Sequence, residues 1–156
     1  MNPYTEALSY ITSASQILST KAQKKDKYYQ DDKYVRIACA TAYKGLLLAA
    51  DTYVAMKGES IKKKKGATVT VKDYRTRLAK IDKSMLLTFN TAHQVLLLVG
   101  FYDRETKVDV IESGISSALD VINQIKPAEE ADLQLKHLPC WSLAIPLKKL
   151  KTASIL

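Results

Sequence analysis

The sequence predicts an all-α fold, an up-down four-helix bundle with a C-terminal appendage. Glycine and proline are few, five and four in 156 residues, which suits long helices joined by short loops. Residues 34–56 have helical length, no proline and apolar side chains on more than one face, which predicts a central helix. Small residues recur along this helix at helical spacing and predict a seam where a neighbouring helix approaches closely. They are Ala38, Ala42, Gly45 and Ala49.

Composition limits the classes of protein that the chain can belong to. It has one-domain length, is 47% hydrophobic and carries a net charge of +8, a balance that favours nucleic acid or other polyanions as partners. Its two cysteines, Cys39 and Cys140, come without a secretory signal and are expected to be reduced thiols. No stretch approaches the ~18 uninterrupted apolar residues of a membrane span. We therefore expect a cytoplasmic protein without a membrane segment.

The first helix is expected to begin at Asn2 and Pro3, because asparagine caps free N–H groups and proline fits the first helical position. It runs to about residue 24 and leads into a polar hinge, residues 21–33. Lysines alternate with two tyrosines in this hinge, as in sites that combine charge with base stacking. The interpretation we favour is structural, because no RNA-binding motif accompanies the cluster: the lysines stabilise a helix C-terminus and the tyrosine rings pack on the bundle end. The candidate anion-binding residues are Lys24, Lys25 and Lys27.

The central helix is expected to begin after an aspartate cap, Asp31 or Asp32, and to end at Gly58, where glycine suits the left-handed position after a helix. Four consecutive lysines follow. Because they repel one another and show no apolar period, they predict an exposed loop, and they are the strongest candidate anion contact in the sequence. They are Lys62, Lys63, Lys64 and Lys65.

A third helix is predicted from Thr70 to about Val99, opened by a capping box in which Asp73 replaces the usual glutamate. Its apolar period is regular at first, and its second half is apolar on all faces. That half is therefore expected to lie deepest in the core, with Gly100 ending the helix.

A fourth helix is predicted to be capped by Asp103, to have its core face between residues 108 and 125, and to stop at Pro127. Residues 1–126 then form the bundle. Residues 127–156 form a tail in which a short amphipathic helix precedes an apolar segment with two prolines and no clear period. The sequence leaves open whether this tail straps the bundle, docks on a partner subunit or is a non-native extension.

The motifs of common enzyme classes are absent from the sequence. It has no Gly-rich phosphate loop, no Gly-x-Ser-x-Gly elbow and no Cys-x-x-Cys pair. Neither histidine follows a glutamate by three residues, which disfavours the di-metal sites of helical bundles. His93 is expected to be a structural histidine. We expect no metal and no cofactor, and a protein that is not an enzyme.

Three segments carry a family resemblance: residues 33–48, 95–103 and 108–125. The order of these helical segments and the distribution of their apolar residues resemble those of the HEPN superfamily of small bacterial helical bundles, over residues 2–126. They are also similar to an uncharacterised family of short bacterial all-helical proteins. HEPN proteins are often dimeric and often encoded beside nucleotidyltransferases in toxin–antitoxin pairs, so the resemblance implies a self-associating bundle.

The ribonuclease motif of HEPN proteins, an arginine, a polar residue and a later histidine, is incomplete in this sequence. Arg104 and Glu105 match its first two places, but the places of the histidine hold Asp109, Val110 and Ile111. Aspartate cannot supply the imidazole that exchanges a proton near neutral pH. The resemblance therefore implies a non-catalytic member of the superfamily.

Three hypotheses follow. The leading one is a non-enzymatic HEPN-like module that forms a homodimer or binds a protein partner. The second is a basic nucleic-acid or nucleotide-binding protein that uses the lysines of the hinge and of the four-lysine loop. The third is a toxin–antitoxin component with ribonuclease activity, in which Arg104 would act with His93.

Overall fold

The computed structural model describes residues 2–59, 61 and 65–128. The chain divides into two compact units, residues 1–125 and 126–156, and all the elements given below belong to the first. The described chain is mostly helical, as the predicted all-α class requires. The predicted tail lies outside the described residues from position 129 onward, and so do Lys62, Lys63 and Lys64.

Five α-helices, two of them continued by π-helical segments, and a short hairpin make up the described part of the fold. The α-helices are α1 (Pro3–Ile17), α2 (Asp32–Met56), α3 (Val71–Ile81), α4 (Lys83–His93) and α5 (Val108–Asn123). The π-helical continuations are Leu18–Ala22 after α1 and Gln94–Tyr102 after α4. The hairpin strands, β1 (Lys24–Lys25) and β2 (Tyr28–Tyr29), pair antiparallel.

Several helix ends lie where the sequence predicts them, because side chains replace the missing backbone partners. Asn2 accepts a hydrogen bond of 2.7 Å from a backbone N–H in the first turn of α1, and Asp31 accepts one of 3.1 Å in α2. Thr70 and Asp73 form the predicted capping box of α3. Gly58 follows α2 with φ of +78°, the left-handed conformation that glycine adopts without strain.

The core is built around α2, which packs against α1, α5 and α4 with its π-helical continuation. The small-residue seam is buried as predicted, and Ala38, Ala42 and Ala49 have no exposed surface. A Cβ added at Gly45 would lie 2.9 Å from the carbonyl oxygen of Ala7 in α1. A side chain at position 45 would therefore push α1 and α2 apart.

The third predicted helix is interrupted at Asp82, so the prediction of one helix from residue 70 to about 99 was wrong. Asp82 is extended, with φ of −160° and ψ of 111°, and ends α3. Its Oδ1 atom accepts from the Ser84 N–H at 2.9 Å and so caps α4. The Tyr53 hydroxyl donates to its Oδ2 atom at 3.3 Å. The sequence hides this break because the apolar spacing continues across it.

The second half of that predicted helix is more buried than its first half, as predicted, since Met85, Phe89, Ala92, His93 and Leu96 are buried there and only Tyr74 and Leu78 before them. Burial decreases toward its C-terminal end. In the π-helical continuation of α4 only Leu96 and Gly100 are buried, and the helix runs to Tyr102, past the predicted end at Gly100. This segment packs against α2 and α5, and the side facing away from both stays exposed among the described residues.

Two glycines fix the position of this segment between α2 and α5. A Cβ added at Gly100 would lie 2.5 Å from the Cys39 Sγ atom of α2. A Cβ added at Gly114 of α5 would lie 2.5 Å from the Val95 Cγ1 atom. Since neither position has room for a side chain, the two contacts determine which face of the segment points to solvent.

The predicted polar hinge contains the hairpin, which pairs with the loop before α5. The Tyr29 N–H donates to the Thr106 carbonyl at 2.8 Å, and the Val108 N–H donates to the Lys27 carbonyl at 2.9 Å. Tyr29 is buried, whereas its neighbour in β2 is exposed. Because α5 begins only at Val108, the prediction that Asp103 caps it was wrong.

Candidate functional site

The hinge lysines lie among acidic side chains. Lys24 Nζ donates to Glu112 Oε1 at 2.7 Å. That hydrogen bond, and then the charge of the same carboxylate, raises the pKa of Lys24. Lys25 and Lys27 are exposed. Residues 24–33 and 103–112, which lie together at this end of the molecule, carry six basic and seven acidic side chains. The predicted anion site at the hinge is therefore not a net positive surface.

The two predicted lysine clusters are separated along the chain by α2. The hinge lies before α2 and the four-lysine loop after it, and the 25 residues of α2 span about 37 Å. Of the loop lysines the structure describes only Lys65, which is exposed.

The two residues that match the HEPN motif have structural partners. Arg104 is exposed, has φ of +59° and lies 4.0 Å from Asp32. The Glu105 carboxylate accepts from the N–H groups of Thr106 and Lys107 at 2.9 and 2.8 Å. Glu105 thus stabilises the turn that leads into α5.

His93 is buried at the end of α4, with 6% of its surface exposed. The Tyr43 hydroxyl lies 3.0 Å from its Nδ1 atom, and its ring stacks on Phe89. Burial, and then the charge of Arg75, lowers the pKa of His93, and burial raises the pKa of Tyr43 to about 12. Arg104 lies eleven residues further on, past the end of the helix and beside Asp32. The structure does not bring it together with His93.

The described residues include several potential metal ligands and one cysteine. Among residues 2–59, 61 and 65–128, no three His, Cys, Asp or Glu side chains are grouped so that they could hold a metal ion. Cys39 is a free, buried thiol. Burial raises its pKa to about 12, so it stays protonated at neutral pH and is a poor nucleophile.

One surface was missed by the sequence analysis: the exposed side of α4 and its continuation. Exposed positions recur there every three or four residues, and we call them the uncharged face: Leu87, Thr91, Gln94, Leu98 and Tyr102. Residues 84–102 contain no Asp, Glu, Lys or Arg. Yet Leu87 is 67%, Leu98 44% and Tyr102 64% exposed. The run of nineteen residues without a charge is the signal that could have revealed this surface.

The same helix, Lys83–Tyr102, is the one stretch of the described chain long and apolar enough to cross a membrane by length and composition. A buried helix of a soluble protein meets the same criterion, but only 33% of this apolar window is buried. Near its middle, Asn90 and His93 already have hydrogen-bond partners within the protein, Arg75 and the Tyr43 hydroxyl, and Gln94 is exposed.

Comparison with known proteins identifies the family. The family model described as "Domain of unknown function (DUF5618)" matches residues 2–127, which include every helix described above. The chain is also similar to a solved structure, a protein of unknown function from Dyadobacter fermentans. The two are 36% identical over 78% of this chain and 92% of that one, with a TM-score of 0.69. None of the curated proteins matches. The chain therefore belongs to the DUF5618 family.

Proposed function

We propose that this protein is a non-enzymatic helical module that associates with a second copy of itself through the uncharged face. In this proposal α3 and α4 together count as one helix that is interrupted at Asp82. With α1, α2 and α5 it makes a HEPN-like four-helix bundle. The proposal rests on the solvent-exposed apolar side chains of Leu87, Leu98 and Tyr102 within nineteen residues that carry no charge.

Burying these side chains supplies the driving force. Each is between 44% and 67% exposed, and covering it is worth about 1–2 kcal/mol from its apolar area. A symmetric dimer covers six of them. The loss of translational and rotational freedom offsets much of this gain, so we expect self-association in the micromolar range.

Charge favours a second copy at this face. Each chain carries a net charge of +8, nearly all of it in residues 57–83, so two copies repel one another where these basic surfaces meet. The uncharged face is where they can touch with the least repulsion. Dimerisation is also what the resemblance to HEPN bundles implies.

The face is also complementary to itself. A two-fold axis at Gln94, with the two helices antiparallel, places Leu87 against Tyr102 and Thr91 against Leu98 of the second copy. The two Gln94 amides then meet, and each has both a donor and an acceptor for the other. Such pairing satisfies the polar group at the centre of an otherwise apolar contact.

Light scattering coupled to size-exclusion chromatography tests the proposal. We expect the wild type to dimerise as its concentration rises to ~100 µM, the range in which small interfaces associate. The variant Leu87→Glu/Leu98→Glu should remain monomeric, because it places two carboxylates in the contact. Both positions are exposed, so the fold should be retained.

Met56→Glu is the matched control, because Met56 is 60% exposed but lies at the end of α2. A wild type that stays monomeric at ~100 µM would refute the proposal. Equal loss of dimer in the control and in the test variant would refute the assignment to this face. Flotation of monomeric wild type with lipid vesicles would instead assign the face to a membrane.

A further inference from the structure

The positive charge of the chain is concentrated in one short region. Residues 57–83 contain ten basic and three acidic side chains. This excess of seven accounts for nearly all of the net charge of +8, so the rest of the chain is almost neutral. Of this region the structure describes α3 and its two flanks, apart from positions 60 and 62–64. The site proposed below uses described residues alone.

One side of α3 forms a basic depression. A surface cavity of about 340 Å³ is lined there by Lys72, Thr76, Arg77 and Lys80, which we call the α3 basic face, together with Ile61 and Asp73. Lys72, Thr76 and Lys80 are spaced four residues apart, so they lie in a row about 12 Å long. A helix holds these groups in fixed order.

Two acidic side chains lie beside this face, and each is held in place by a neighbouring residue. The Asp73 carboxylate accepts from the N–H and hydroxyl of Thr70 at 2.7 and 2.9 Å, and these hydrogen bonds lower its pKa. Glu59 forms a salt bridge of 2.9 Å with Arg77. Within the described residues Lys72 and Lys80 form no salt bridge. Their ammonium groups are therefore available to an external anion.

We propose that the α3 basic face binds the phosphate backbone of a nucleic-acid duplex without reading its base sequence. The 12 Å row is about as long as the major groove of B-DNA is wide. Lys72 and Lys80 can therefore reach phosphates on the two sides of the groove. Contacts of this kind give affinity that depends on salt and not on sequence.

Side-chain chemistry favours a duplex over the other polyanions. Single strands are held by stacking on exposed aromatic rings, but the one aromatic residue of α3, Tyr74, is buried. Amphipathic helices that lie on lipid insert large apolar side chains. The exposed residues of α3 include none: they are Lys72, Asp73, Arg75, Thr76, Ala79 and Lys80.

Fluorescence anisotropy with a labelled DNA duplex of ~20 bp tests this inference, measured over a series of potassium chloride concentrations. We expect the logarithm of the association constant to fall linearly with the logarithm of salt concentration. Lys72→Gln/Lys80→Gln removes two phosphate contacts and should make that slope shallower by about 1.8. At ~0.1 M salt the affinity should fall on the order of 10- to 60-fold.

Lys21→Gln/Lys44→Gln is the matched control, since it removes the same charge from exposed positions outside α3. It should leave the slope nearly unchanged. Equal effects of the two double variants would overturn the site, because binding would then follow net charge alone. The site is also overturned if the wild type does not bind the duplex at ~0.05 M salt, or if it binds oligo-dT or phosphatidylserine vesicles more tightly than the duplex. Identical thermal melts by circular dichroism establish that the variants are folded.

This inference is independent of the proposed dimer, because α3 and the uncharged face belong to helices separated by Asp82. A Leu87→Glu/Leu98→Glu monomer should keep the same salt slope per chain. One experiment can therefore refute the proposed dimer without refuting the proposed duplex site, and the other experiment can do the reverse.

Discussion

Gly100→Ala tests the contact that orients the uncharged face. The added Cβ would lie 2.5 Å from Cys39 Sγ and 3.1 Å from the Val95 carbonyl oxygen. Cys39 is completely buried, and its sulfur is one bond from the backbone-anchored Cβ, so it has little freedom to move. Overpacking of this kind costs about 1–3 kcal/mol, while the better helix propensity of alanine returns up to about 1 kcal/mol. We expect a net destabilisation of about 1–2 kcal/mol.

A double-mutant cycle separates this contact from other effects of the substitution. Cys39→Ala alone removes a buried sulfur and should cost about 1–1.5 kcal/mol. In Cys39→Ala/Gly100→Ala the new methyl group occupies the space left by the sulfur, and its closest remaining side-chain contact is 3.3 Å. The double variant should therefore be about as stable as Cys39→Ala, a coupling of about 1–2 kcal/mol.

Urea unfolding followed by far-UV circular dichroism measures these free energies. If the two costs add to within ~0.3 kcal/mol, the close approach of α2 and the π-helical segment is refuted.

Three further predictions concern single residues. Because the pKa of His93 is lowered in the folded state, the unfolded chain binds more protons below pH ~6.5, and stability should fall as the pH drops through that value. His93→Asn should flatten this dependence in urea titrations, and a parallel pH profile for both proteins would contradict the assignment. Gln94→Cys in a Cys140→Ser background should form disulfide-linked dimers under mild oxidation, and a chain that stays monomeric on non-reducing gels would exclude an axis at this position. Asp82→Ala should cost about 1–2 kcal/mol, since it removes a helix cap and the partner of the Tyr53 hydroxyl. A urea midpoint within error of the wild type would show that Asp82 is not needed.

The helical class and several helix ends followed from the sequence, because the chemistry that sets them is local. A cap such as Asn2, or a capping box such as that of Thr70 and Asp73, acts within one turn. The small-residue seam of α2 was likewise predicted correctly, since four small side chains at helical spacing typically mark a close helix–helix contact. Local patterns of this kind therefore predicted the framework.

What the sequence did not predict depends on partners distant in the chain. Asp82 breaks a continuous apolar period, and the Tyr53 hydroxyl that supports it lies 29 residues away. The exposure of Leu98 depends on contacts that Gly100 and Gly114 make with other helices. Hydrophobicity predicted burial on every side of this segment, but no described helix covers its outer side. The candidate site was missed because apolar character was equated with depth.

The interruption at Asp82 also makes the chain tolerant of length changes upstream. In an unbroken helix, one inserted residue would rotate everything after it by about 100°. Here α4 restarts from its own cap and is held by the close contacts of Gly100 and Gly114, so we expect an insertion in the loop before α3 to leave Leu87 and Tyr102 pointing where they do. The basic surface of α3 and the uncharged face can then change independently.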